Sequence, residues 1–144
     1  MAHKALDADI SVTTQLLPNA VSGSRAAGFG SIINCRPDDE ESGQPRSADL
    51  EALARAEGIE YHHIPVVPGQ FREADIDAFC FAMGSCDKPA LAFCKSGMRA
   101  ASLWALSQAG KRTTDEILRQ AAGCGHDQTP LVPRIEARAK IVHR

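Results

Sequence analysis

Hydrophobic positions recur along the chain with two periods, and the changes between them divide it into alternating strands and helices. Residues 9–15, DISVTTQ, have the β-branched alternation of a first strand. Pro18 follows where a first helical turn tolerates it, and Gly28 closes that segment. FGSIINC, residues 29–35, predicts a short buried strand, and the polar run RPDDEESGQPR after it predicts a loop. Ser47 is placed to cap a helix over ADLEALARAE, whose Leu50, Leu53 and Ala54 share one face before Gly58 stops it. IEYHHIP, residues 59–65, is the next strand. EADIDAFCFAM, residues 73–83, is an amphipathic helix with Ile76, Phe79 and Met83 at helical spacing and Gly84 at its end. PALAFC, residues 89–94, is a strand that delivers Cys94, and RAASLWALSQA, residues 99–109, a helix that buries Leu103, Trp104 and Leu106 and ends at Gly110. Thr113 and Glu116 match a capping box for TDEILRQAA, and Thr129 with Pro130 starts a last helix toward Ile141.

Strands separated by helices of about 10–15 residues imply βαβ units. The expectation is one three-layer α/β domain with a mainly parallel central sheet flanked by helices on both faces. Functional groups should gather beyond the carboxyl ends of the strands. Cys94 stands at one such end, and Cys35 and Arg36 at another.

Composition narrows the function classes. With 144 residues, 44% of them hydrophobic, the chain is long enough for one core and too short for two, so residues 1–144 read as a single domain. Eighteen acidic against sixteen basic residues, a formal charge of −2, create no field for nucleic acid or an anionic membrane. Small molecules or proteins are the expected partners. No stretch reaches the roughly 18 apolar residues of a membrane span, and MAHKALDADI has no hydrophobic signal core, so a cytoplasmic location is expected. The five cysteines, Cys35, Cys80, Cys86, Cys94 and Cys124, form an odd set without a CxxC pair. They read as thiols rather than as a disulfide framework or a zinc site.

Candidate chemistry centres on CKSGMR, Cys94 to Arg99. Lys95, Ser96, Gly97 and Met98 must turn the chain from a buried strand into a helix. So short a turn points several backbone N–H groups inward as an anion cradle. The helix dipole, those N–H groups and the Arg99 guanidinium together favour thiolate at Cys94, which makes it a nucleophile. Arg99 can also grip two oxygens of a tetrahedral oxyanion through its planar fork. The plain alternative makes Cys94 a small buried residue and Arg99 a solvated one. An arginine at a helix N-terminus opposes the dipole unless an anion meets it, which favours a site.

The segments IINCRPDDEESGQP, YHHIPVVPG and AFCKSGMRAASLWAL, in this order and spacing, resemble the phosphatase-like domain of beta-lactamase hydrolase-like proteins over roughly residues 10–127. The resemblance implies a fold similar to protein tyrosine phosphatases. It also implies a domain found alone or joined to sulfide-oxidising or persulfide-oxidising enzymes. Two chemistries then compete. Tyrosine-phosphatase-type loops carry five residues between cysteine and arginine, usually with a preceding histidine and a following serine or threonine. Here there are four, with Phe93 before and Ala100 after. Such enzymes also use an aspartate about thirty residues upstream as general acid. The matching stretch, IPVVPGQF, has no acidic residue, while Glu73 and Asp75 fit the first turn of the next helix. Rhodanese-type sulfurtransferases use a six-residue loop of this length, and sulfite leaves thiosulfate without a strong acid. On loop length the expected function is therefore rhodanese-like transfer of sulfane sulfur from thiosulfate or a persulfide to a thiol acceptor through a Cys94 persulfide, with no cofactor. The alternatives are a phosphohydrolase with a phosphocysteine intermediate and a weakly catalytic module docked to a sulfur-oxidising enzyme.

Arg36 and Asp38, in the loop after a strand end, are candidates to support the site. They read equally well as a proline-aspartate turn with Arg36 paired to a nearby carboxylate. Cys35 is either a resolving thiol for Cys94 or, with more weight, a small packed residue. His62 and His63 point to opposite faces of one strand, and Cys124 and His126 form only a lone Cys-x-His, so no metal site is expected. Cys80 and Cys86 read as structural.

Overall fold

The computed structural model describes residues 2–142. Five strands form one sheet: β1 (Lys4–Asp7), β2 (Ile10–Thr13), β3 (Ser31–Asn34), β4 (Glu60–His63) and β5 (Ala90–Phe93), in the spatial order β1-β2-β5-β3-β4. β2, β5, β3 and β4 run parallel, and β1 closes one edge antiparallel to β2. The helices are α1 (Val21–Ala26), α2 (Ser47–Ala56), α3 (Glu73–Ser85), α4 (Met98–Ser107), α5 (Thr114–Gly123) and α6 (Val132–Val142). Short 3-10 turns, Pro18–Ala20 and Thr129–Leu131, precede α1 and α6.

The alternation of β5 explains the layering. Leu91 and Phe93 pack with Leu50, Ala54 and Val21 from α2 and α1 on one face. Ala90 and Ala92 turn to the other face, with Ile76 and Phe79 of α3, Leu103 and Trp104 of α4, Ile117 of α5 and Ile135 of α6. Two alanines on that face let α4 lie close to the sheet, and every residue of α4 from Arg99 to Ser107 is buried. Cys94 continues the same alternation and so ends β5 beneath the start of α4.

Several sequence expectations need correction. β1 was not foreseen: its residues pair with β2 through a bulge between Ala5 and Asp7, but only Leu6 is buried, so no hydrophobic pattern marks it. Ser47 is the first helical residue of α2 rather than its cap; Arg46 holds the cap position, and the Ser47 N–H donates to Asp38 Oδ1 at 2.8 Å. Leu53 is 40% exposed, since the buried stripe of α2 runs through Leu50 and Ala54. Thr113 and Glu116 do form the capping box of α5. Among the described residues, no helix is long and apolar enough to cross a membrane.

Candidate active site

The loop between β5 and α4 lies at the carboxyl end of the central strand. Cys94 is fully buried, and the Gly97 N–H donates to its sulfur at 3.0 Å. Gly97 has φ of 95°, in the left-handed region. A Cβ there would sit 3.0 Å from His126 Nε2 and 3.3 Å from the Thr13 carbonyl oxygen, so this turn has room for glycine alone. The end of β2 ties the loop down from the other side, with the Gln15 N–H donating to the Lys95 carbonyl at 3.2 Å. Gln128 fixes the start of α4 by accepting from the Ser102 hydroxyl at 3.0 Å.

Arg99 is buried and held from several directions. Its Nη1 donates to Glu40 Oε2 at 2.7 Å and to the Val66 carbonyl at 2.9 Å, and its Nη2 donates to Glu40 Oε1 at 3.0 Å. Burial opposes the charge on Arg99, but the Glu40 carboxylate and the neighbouring Cys94 sulfur outweigh it and hold the guanidinium above its ordinary range. Glu40 also accepts from Arg36 Nε at 2.7 Å. The hydrogen bonds from Arg99, then from Arg36, keep its carboxyl below the usual carboxylate range. Glu41 accepts from Arg36 Nη2 at 2.7 Å and pairs with Lys95 at 3.0 Å, and those two cations lower its pKa as well. The acidic pair of the loop after β3 thus engages Arg36, Lys95 and Arg99 together.

Arg36 is itself buried and donates through Nη1 to Gln15 at 3.0 Å. It meets Arg99 through Glu40. Asp38 is spent on capping α2, so it supports the fold rather than the loop. Cys35 sits one step beyond the Asn34–Phe93 register pair, with its N–H on the Phe93 carbonyl at 2.8 Å, and so lies beside Cys94 on the same face. Complete burial, then the neighbouring Cys94, push its thiol well up, so Cys35 is a protonated thiol at neutral pH. Lys95, Ser96, Met98 and Arg99 border one end of a cavity of about 440 Å³. Its other walls include Pro68, Phe71, Asp127, Pro130 and Leu131. Glu73 pairs with Arg134 and Arg138 on the outer face of α3, and Asp75 accepts from Arg72 Nη2 at 3.0 Å. His62 lies 3.5 Å from Glu60, and His63 Nε2 bonds the Arg36 carbonyl oxygen at 2.9 Å. Among the described residues, no group of three or more histidine, cysteine or acidic side chains could hold a metal ion.

Sequence reading missed Glu40, Glu41 and Gln15. The one signal for them was an acidic run, DDEE, beside an arginine whose loop follows a strand end on the same side of the sheet as CKSGMR.

A mainly parallel sheet whose central strand ends in a buried cysteine, a tight turn and a helix-opening arginine is the architecture of a phosphatase-like domain with the protein-tyrosine-phosphatase fold. Solved structures agree. A candidate phosphatase from Neisseria meningitidis Z2491 superposes with a TM-score of 0.82 and 29% identity, covering 93% of this chain and 96% of that one. The kinase associated phosphatase, solved with its catalytic-site cysteine replaced by serine, superposes with a TM-score of 0.74 at 16% identity, covering 94% of this chain and 88% of its own. The chain belongs to the family described as "Beta-lactamase hydrolase-like protein, phosphatase-like domain", which it matches over residues 3–111. The beta-lactamase hydrolase-like protein of Xylella fastidiosa (strain 9a5c) is 40% identical over 114 residues, which cover 78% of this chain and 26% of that protein. The chain therefore spans about a quarter of the length of that curated relative.

Proposed function

We propose that the domain is a cysteine-dependent phosphohydrolase that acts on phosphate monoesters. The observation that carries this is the way Arg99 is held. Glu40 takes the terminal edge of the guanidinium at 2.7 and 3.0 Å, and the Val66 carbonyl takes the remaining Nη1–H. Those bonds use three of the five N–H donors, and the Cys94 sulfur hydrogen-bonds the guanidinium as well, so the remaining two donors, on the Nε–Nη2 edge, are turned to the nucleophile. Two such donors match two oxygens of a phosphoryl group. The sulfonate oxygens of thiosulfate match the same grip, so the choice of phosphate rests on the grip together with the phosphatase-like family and fold neighbours.

This reverses the order drawn from loop length, which put sulfur transfer first. The count between Cys94 and Arg99 measures only the ring of N–H groups. Family membership and the fold neighbours are phosphatase-like, and the prepared arginine edge suits an oxyanion.

In the reaction, the Cys94 thiolate attacks phosphorus opposite the leaving oxygen. The S–P bond forms as the P–O bond breaks, while loop N–H groups and Arg99 carry the charge on the equatorial oxygens. Water then displaces the sulfur: its oxygen bonds phosphorus, the S–P electron pair returns to Cys94, and both water protons stay on the released phosphate.

Hydrolysis of para-nitrophenyl phosphate by wild type and Cys94→Ser tests the proposal. Wild type should turn over and the serine variant should lose on the order of a thousandfold or more. Equal rates in the two proteins, or Cys94-dependent transfer from thiosulfate to cyanide with no ester hydrolysis, would overturn it.

A further inference from the structure

Among the described residues, every carboxylate around the site is already engaged as a hydrogen-bond acceptor. Glu40 lies between Arg36 and Arg99, and Glu41 between Arg36 and Lys95. Asp127 is the only acidic residue among the described ones that line the cavity beside the loop, and its Oδ1 accepts from the Thr129 N–H at 2.9 Å and the Thr129 hydroxyl at 2.6 Å. Asp75 accepts three bonds from Arg72 and lines a different cavity, with Pro65 and Gln70. The segment over residues 65–71, where a phosphatase of this fold would carry its acid, has none.

An acid catalyst must hold a proton at neutral pH and release it to the leaving oxygen. Donors aimed at a carboxylate stabilise the ionised form instead. The hydrogen bonds of Thr129 hold Asp127 below its ordinary range, just as those from Arg99 and from Lys95 hold Glu40 and Glu41. Among the described residues, no carboxyl group here is poised to donate.

The other walls of the cavity are suited to a ring. Pro68, Phe71, Pro130 and Leu131 give it an apolar side, and Lys95, paired with Glu41 at 3.0 Å, adds a cation to its lining.

We infer that the site takes phosphate monoesters of acidic phenols, whose oxygen leaves as an anion without being protonated, and discriminates against alkyl phosphates. This rests on the phosphohydrolase proposal and names its substrate class. The thiolate displaces the phenolate directly: one S–P bond forms, one P–O bond breaks, and the electron pair departs with the aryl oxygen, with no proton transfer in that step. The phenolate is held meanwhile against the apolar wall and near the Lys95 ammonium.

The test is kcat/KM, which reports the first chemical step, for 2,4-dinitrophenyl, para-nitrophenyl and phenyl phosphate and for phosphoserine, with Cys94→Ser as control. The expected result is a fall on the order of tenfold for each unit of leaving-group pKa across the aryl series, and phosphoserine turnover roughly a thousandfold or more below para-nitrophenyl phosphate. Less than about a twofold change per unit, or phosphoserine within tenfold of para-nitrophenyl phosphate, would mean that an acid is supplied and would overturn the inference alone. Absence of Cys94-dependent hydrolysis for all four esters would overturn the phosphohydrolase proposal itself, and this inference with it.

Discussion

Arg99 has five N–H donors in a rigid plane, and three of them are bound by Glu40 and Val66. The bonds at 2.7, 2.9 and 3.0 Å fix the plane, and the plane decides which donors remain. A lysine would keep the charge and lose the edge. Arg99→Lys should therefore lower kcat/KM for para-nitrophenyl phosphate by on the order of a hundredfold or more, while circular dichroism stays that of the folded protein. Retention of most activity would reduce Arg99 to a source of positive potential. The sulfur below it is confined just as closely, since Gly97 occupies a left-handed conformation with His126 against the one face where a side chain would project.

Two loops make the site, and a carboxylate joins them. The β3–α2 loop brings Glu40 to Arg99 at the start of α4, and Glu41 to Lys95 in the β5–α4 loop. Glu40→Gln should leave the two guanidinium groups sharing a neutral acceptor, and the freed Arg99 should cost on the order of a hundredfold in kcat/KM through misplacement. The pH dependence of stability follows from the direction of the Glu40 shift. Its folded pKa lies below the ordinary 4.5, so the carboxylate stabilises the fold fully above that value and loses its contribution as pH falls through the lowered folded value. Urea midpoints of wild type and Glu40→Gln should accordingly differ at pH 7 and converge in strong acid. A gap of constant size from pH 7 to pH 3 would remove the ionic role of Glu40.

Across the whole domain, what could be read from the sequence depended on whether its cause was local. β5 could be read because all four of its residues are buried, which leaves an unbroken apolar run between polar segments. β1 could not, because its pairing with β2 supplies what its own composition lacks. Cys94 and Arg99 could be found because strand, glycine turn and helix follow one another directly. Glu40 could not, because its bond to Arg99 spans 59 residues and the acidic run looks like any solvated turn until the sheet brings the two strand ends together. Loop length put sulfur transfer first, whereas the family and the fold neighbours favour the phosphatase-like alternative. It counts neighbours in the chain, whereas the orientation of Arg99 is set by residues far from it in the sequence.

What remains covalently on Cys94 tests the central claim most directly. Intact-protein mass spectrometry after rapid acid quench, with an aryl phosphate in one arm and thiosulfate in the other, reads the two chemistries side by side. The account predicts an adduct of about +80 Da from the aryl phosphate, absent in Cys94→Ser, and none from thiosulfate. An adduct of about +32 Da from thiosulfate, removable by cyanide, with no phosphoryl adduct in the other arm, would contradict it.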